Sequence, residues 1–275
     1  MKRILVAAAL AALGATGAQA ADIAARTYTK APAPAIEQVS SWTGFYVGGE
    51  VGARWSDSTW TTYALQDPIN AFSNFRLPQG NPASFNSSSV RAGGYLGYNW
   101  QFAPTWVLGI EGDAAWGDNK KSLAGIPGTW GPGTAPAIIA LDGSSVKLGW
   151  DAAIRGRLGW LITPSVMLFG AGGVAWQDVS INANCQPGGG WACGAVRNTT
   201  FNAVKTGWTA GGGVEAKVWS NWLARAEYRY ADFGRTNYLF FPNTSDGVWM
   251  YHDLRTHTVS LGLAYQFGGP VVAKY

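Results

Sequence analysis

The chain has 275 residues, among them 37 Gly, 15 Trp and only 2 Cys, and 13% of its residues are charged. Its 20 Lys and Arg against 16 Asp and Glu give a net charge of +4, part of which belongs to Lys2 and Arg3 at the extreme N-terminus. The near balance of the remainder argues against nucleic-acid binding, two Cys cannot make a disulfide scaffold, and Gly without a G-X-Y period excludes collagen and leaves a membrane protein.

Lys2 and Arg3 precede an apolar run from Ile4 to Gly17 and the triplet Ala18, Gln19, Ala20, the three parts of a secretory signal peptide. The run is shorter than the roughly 20 residues a spanning helix needs, so cleavage is expected after Ala20. Residues 21–41, ADIAARTYTKAPAPAIEQVSS, contain an APAPA run that reads as an extended periplasmic linker.

From Phe45 onward the chain alternates. In residues 45–55 Phe45, Val47, Val51 and Trp55 share one face while Glu50 and Arg54 take the other. In 90–101 Val90, Leu96, Tyr98 and Trp100 oppose Arg91, Tyr95, Asn99 and Gln101, and in 106–116 Trp106, Leu108, Ile110 and Trp116 oppose Glu111 and Asp113.

The segment KLGWDAAIRGRLGW, residues 147–160, is the sharpest test. Its charges Lys147, Asp151, Arg155 and Arg157 all have odd numbers, and the even face, with Trp150, Ile154 and Trp160, is wholly apolar. A strand puts those charges on one side, whereas a helix would spread them around its axis. Residues 158–177 are uncharged and long enough for a spanning helix, but Thr163, Pro164, Ser165 and three Gly at 170, 172 and 173 divide them into two strands joined by a turn.

Residues 166–176, 208–218, 222–230 and 259–267 continue the pattern, with Glu215, Lys217, Arg225, Glu227 and Arg229 on the polar faces. The apolar faces carry Trp or Tyr near both ends, as the aromatic girdles of a membrane barrel do. The expectation is an all-β, eight-stranded antiparallel up-and-down transmembrane barrel over residues 42–267, closed because lipid cannot satisfy a free strand edge. A tail of residues 268–275 then places both termini in the periplasm. Tight turns fall at 103–105, 163–165 and 220–221, and long outer loops are expected at about 56–87, 118–143, 179–204 and 233–254. Cys185 and Cys193 are close enough in sequence to form one disulfide, or they remain free thiols.

The segments WTGFYVGGEVG (42–52), AGGYLGYNWQ (92–101), IRGRLGW (154–160), GWTAGGGVEAKV (207–218), WLARAEYRYADFG (222–234) and LGLAYQFGGPVVAKY (261–275) resemble the small outer-membrane β-barrel "porin family" surface antigens of alphaproteobacteria. That family is similar in fold to the eight-stranded membrane domain of OmpA. The resemblance implies a Gram-negative outer membrane with its lipid and lipopolysaccharide, export past periplasmic chaperones, and extracellular partners met through the long loops. Ser260, Gly262, Tyr265 and Phe267 resemble the C-terminal signal read by the barrel-assembly machinery.

An eight-stranded barrel is just wide enough to be filled by side chains. Parity places Glu50, Arg54, Arg91, Glu111, Asp113, Lys147, Asp151, Arg155, Arg157, Glu215, Lys217, Arg225, Glu227 and Arg229 in the lumen, where mixed signs are expected to pair into a plug. Gly48, Gly52, Gly93 and Gly97 are expected to leave space between them, enough for a narrow water path. The function expected is structural, in envelope integrity and surface interaction, with a narrow porin for small solutes as the alternative.

No catalytic residue, cofactor or metal site is expected. His257 and Ser260 differ in parity, Glu111 and Asp113 have too many basic neighbours to act as a catalytic pair, and GAGGVA (170–175) has no following helix to bind a dinucleotide. The resemblance raises one further candidate, His252 in VWMYHDLR, as a haemin ligand in the last loop, weighed against an ordinary loop histidine.

Overall fold

A computed structural model describes residues 41–66, 82–128, 141–191, 193–245 and 247–268. The expected leader (1–20), the linker (21–41) apart from Ser41, and the tail (268–275) apart from Gly268 lie outside them.

The strands are β1 (Gly44–Leu65), β2 (Ala83–Ser84), β3 (Ser87–Ala103), β4 (Trp106–Gly117), β5 (Asn119–Ala124), β6 (Gly143–Thr163), β7 (Val166–Cys185), β8 (Arg197–Trp219), β9 (Trp222–Phe240) and β10 (Val248–Phe267). All neighbours are antiparallel, and β1 pairs with both β3 and β10, Phe45 lying between Tyr98 and Phe267. The sheet therefore closes on itself. β4 and β5 both pair with β6 and form one stave, and β2 only brackets β1 at Thr59 and Trp60, so the ring has eight staves.

Girdle aromatics explain where lipid begins and ends. Phe45 and Trp55, Trp106 and Trp116, and Trp150 and Trp160 are each ten positions apart, which at strand rise and barrel tilt spans about 25 Å, the height of a barrel's apolar band. Between them the outward side chains are apolar and bare: Val51, Leu96, Ile110, Ile154 and Leu261 are all more than half exposed.

Above Trp55, Trp116 and Trp150 the pattern inverts. Trp60, Val146, Leu148, Val179, Ile181, Phe240, Met250 and Leu254 are buried inside the barrel in one cluster, while Lys147 and Asn182 face out. Apolar groups leave water in both halves, but in the lower half they meet lipid outside and in the upper half one another inside. This corrects the long loops expected at 56–87, 118–143, 179–204 and 233–254: strands run on to Leu65, Cys185 and Phe240 and resume at Gly143, Arg197 and Val248. Their outward Ser, Thr and Asn read as loop composition because water, not lipid, faces them.

Two bulges shift the alternation at this boundary. In β6 the register steps from Leu148–Val179 to Asp151–Gln177, so Gly149 and Trp150 together oppose one residue. In β9 Phe233 and Gly234 oppose Leu254, and Gly234 takes φ 61°, a conformation that glycine adopts without steric cost.

Candidate functional site: the filled lumen

Parity along β1, β3, β4, β6, β8 and β9 turns six arginines and six carboxylates into the membrane-level lumen, and all twelve are buried. Around Asp151, Arg54 approaches at 2.8 Å and Arg91 at 2.7 Å. Arg91 also pairs with Glu50 and, at 3.2 Å, with Asp113, which Arg229 meets at 2.9 Å. Around Glu111 stand Arg225 at 2.6 Å, Arg155 at 2.7 Å and Arg157 at 3.2 Å. Arg225 and Arg157 share Glu215, and Arg155 pairs with Glu227. Arg155 lies 3.5 Å from Asp113 and so joins the two halves. Opposite charges are equal in number, so the network is formally neutral, and each ion has at least one opposite charge within ion-pair distance, while Arg155 Nε and Glu215 Oε1 are buried without a hydrogen-bond partner.

Aromatic rings complete it. Tyr46 donates its hydroxyl proton to Glu111 at 2.8 Å and accepts from Arg157 at 2.7 Å, and Arg225 stacks 4.2 Å over the Tyr95 ring. Parity with Glu50 and Arg91 was the sequence signal for both tyrosines. The lumenal glycines do not leave the expected space: a Cβ at Gly97 would stand 2.3 Å from the Tyr46 hydroxyl, and one at Gly48 would stand 2.7 Å from the Tyr95 ring. Their missing side chains are replaced by tyrosine.

Both ends of the network are capped. On the side of the tight turns Trp42, fully buried, donates its indole N–H to the Pro164 carbonyl at 3.1 Å and packs in a cluster with Tyr46, Tyr95, Leu161, Met167 and Leu223. Lys217 points into this mouth, its ammonium 5.0 Å from the Trp42 ring centre and 2.6 Å from the Ser41 carbonyl. Trp42 precedes the first strand, so no alternation could have flagged it.

On the outer side Asn119 and Gln177 bond Arg54 at 2.8 and 3.1 Å. A cavity of about 10 Å³ lined by Arg54, Asp151, Gln177, Thr209, Arg229 and Thr258 has room for about one water. Above it the Ser58 hydroxyl lies 2.8 Å from His252 Nε2, and Lys205 donates to the His252 carbonyl at 2.8 Å. Burial, aided by repulsion from Lys205, pushes the His252 imidazolium down to about 3, and burial lowers Lys205 to about 8. The large apolar cluster around Trp60 then closes the top.

Two expectations are corrected here. Lys147 is not lumenal: the β6 bulge turns it out to solvent, where it pairs with Asp118 at 3.2 Å. His252 is not in a loop but in β10, fully buried and out of reach of an external ligand. His257 faces outward, 2.8 Å from the Tyr228 hydroxyl, and Ser260 is buried on the opposite face of β10. Gly262 also faces in, while Tyr265 and Phe267 face out. Cys185 and Cys193 form a disulfide whose loop is held by Asp142, which accepts backbone N–H groups of Gln186 at 2.9 Å and Trp191 at 2.7 Å.

A closed eight-stave ring with a bare apolar band between aromatic girdles defines a transmembrane β-barrel of the outer-membrane kind. The chain belongs to the family described as outer membrane protein beta-barrel domain, whose model matches residues 6–267. It is 31% identical to the 31 kDa outer-membrane immunogenic protein of Brucella melitensis biotype 1, across 97% of this chain and 100% of that one. It is 28% identical to the 25 kDa outer-membrane immunogenic protein of Brucella abortus biovar 1, across 96% and 97%. Among solved structures it is similar to outer membrane protein OprG from Pseudomonas aeruginosa, with 11% identity, a TM-score of 0.43, and 82% and 97% of the two chains covered. This is an outer-membrane protein of Gram-negative type.

Proposed function

We propose that the barrel is a closed structural element of the outer membrane, contributing to envelope integrity and presenting its outer connections to extracellular partners, and that its lumen is a plug. The observation that carries this is the three-level filling: Trp42 and its cluster at one mouth, the neutral arginine–carboxylate network at membrane level, and the Trp60 cluster above. An ion entering the network would have to displace guanidinium–carboxylate pairs, and stranding one member of a buried pair costs about 3–5 kcal/mol.

The reading includes biogenesis. Residues 1–20 act as the export signal, residues 21–41 as a periplasmic linker, and periplasmic chaperones hand the chain to the barrel-assembly machinery, which reads Ser260, Gly262, Tyr265 and Phe267.

The test is single-channel conductance of refolded residues 21–275 in a planar bilayer, with heat-modifiable gel mobility reporting the folded barrel. The folded protein is expected to be silent. Stable, reproducible steps from it would replace this reading with that of a narrow porin for small solutes.

A further inference from the structure

We propose that Lys120 and Lys147 form a phosphate site on the outer wall of the barrel, and that its ligand is the phosphorylated glycolipid of the outer leaflet, lipid A.

Lys120 and Lys147 are direct cross-strand partners between β5 and β6, and both side chains face solvent. Like charges set opposite each other destabilise a sheet pair, and an anion held between them would turn that repulsion into two attractions. Asp118, 3.2 Å from Lys147, offsets only part of the charge, and Asp178 lies one step lower, against Gly149. Lys120 has no carboxylate within ion-pair distance among the described residues.

The arrangement is held from inside. Asn119 is fully buried, accepting from Arg54 at 2.8 Å and from Ser89 at 2.6 Å. With Asn119 pinned inward, strand alternation sends its neighbours Asp118 and Lys120 out. On β6 the bulge at Gly149 and Trp150 brings Lys147 to the outer face. Bulges commonly re-aim a side chain in this way.

Height selects the source of the phosphate. Lys120 stands four residues above Trp116, and Lys147 three above Trp150, so both ammonium groups lie roughly 10 Å beyond the girdle that marks the lipid boundary. Long lysine stems reach down toward that level, where the phosphates of an outer-leaflet lipid lie beside the barrel wall and those of a dissolved anion do not concentrate.

The inference rests on outer-membrane placement and is independent of whether the lumen conducts, so the two can fail separately. Refolded residues 21–275 in detergent are titrated with diphosphorylated lipid A, with the same lipid stripped of both phosphates, and with inorganic phosphate, and adducts are followed by native mass spectrometry. The unaltered protein is expected to prefer the diphosphorylated lipid at least fivefold, and Lys120→Gln with Lys147→Gln to abolish that preference while heat-modifiable mobility persists. If the double variant fails to fold, Lys120→Gln alone, which keeps the Lys147–Asp118 pair, is expected to lower the preference at least twofold. Equal binding of the two lipids, or a preference the substitutions leave intact, overturns the proposal. Loss of lipid binding to equimolar inorganic phosphate reassigns the site to a free anion and overturns the lipid.

Discussion

Lys147 and Asp151, four residues apart in one strand, point to opposite sides of the barrel wall: Lys147 reaches solvent and Asp151 holds Arg54 and Arg91 inside. The bulge between them makes this possible. Deleting Gly149 restores uninterrupted alternation and turns Lys147 into the apolar cluster while Val146 and Leu148 turn out. A slip of one residue inverts every side chain beyond it, and an unpaired ammonium in that cluster is costly. The deletion is expected to leave the segment above residue 149 open to protease, or to abolish the heat-modifiable band.

Gly262, in the sequence that resembles an assembly signal, also has a packing role. A Cβ there would stand 2.8 Å from the Tyr95 hydroxyl and 3.0 Å from its ring. Gly262→Ala is expected to destabilise the barrel by about 1–3 kcal/mol through overpacking, and Tyr95→Leu to recover part of that loss. Urea midpoints in detergent measure both. A substitution that blocks assembly without moving the midpoint would assign Gly262 to recognition alone.

Arg155 connects the two halves of the network through Glu111, Asp113 and Glu227. Arg155→Leu strands Glu227, whose other partner, Arg225, is 3.7 Å away, and is expected to cost about 3–5 kcal/mol. Adding Glu227→Leu removes the stranded charge, and the double variant is expected to be more stable than the single one. A double-mutant cycle on unfolding midpoints checks this.

His252 makes stability depend on pH. The unfolded chain takes up its proton near pH 6.5, whereas the folded barrel resists it until about 3 because burial and Lys205 disfavour the imidazolium. Between those values the unfolded state binds more protons, so stability falls as the medium is acidified, by up to about 1.4 kcal/mol per pH unit. His252→Gln is expected to flatten this slope between pH 6.5 and 5, where most carboxylates remain ionised in both states.

Reduction of Cys185–Cys193 reopens a short loop and is expected to cost up to about 2–3 kcal/mol. Asp142 still caps Gln186 and Trp191. Reducing agent should therefore raise proteolysis between residues 185 and 193 and leave the heat-modifiable shift of the barrel intact.

The membrane half was legible because lipid outside and charge inside make alternation visible: Asp151, Arg155 and Arg157 follow from their odd numbers alone. The same rule misplaced Lys147, since a bulge is a backbone event that leaves no period in the sequence. The upper half was read as loops because Asn182 and its polar neighbours face water, and the compensating inward row of Val179, Ile181 and Ala183 is what any soluble strand would show. Ser58, Lys205 and His252 meet only because distant strands converge on one lumen level.

Strand length sets how far the connections at the outer end stand from lipid. β1 has 22 residues, which at about 3.3 Å per residue and a tilt of about 40° make a stave of roughly 55 Å, about twice the height of the apolar band. A large molecule approaching the cell therefore meets the rim of a stiff, internally packed cylinder some 25 Å before it meets the bilayer surface. The rim residues are thereby held at a fixed height above the membrane surface, a distance set by strand length rather than by the conformation of the connections.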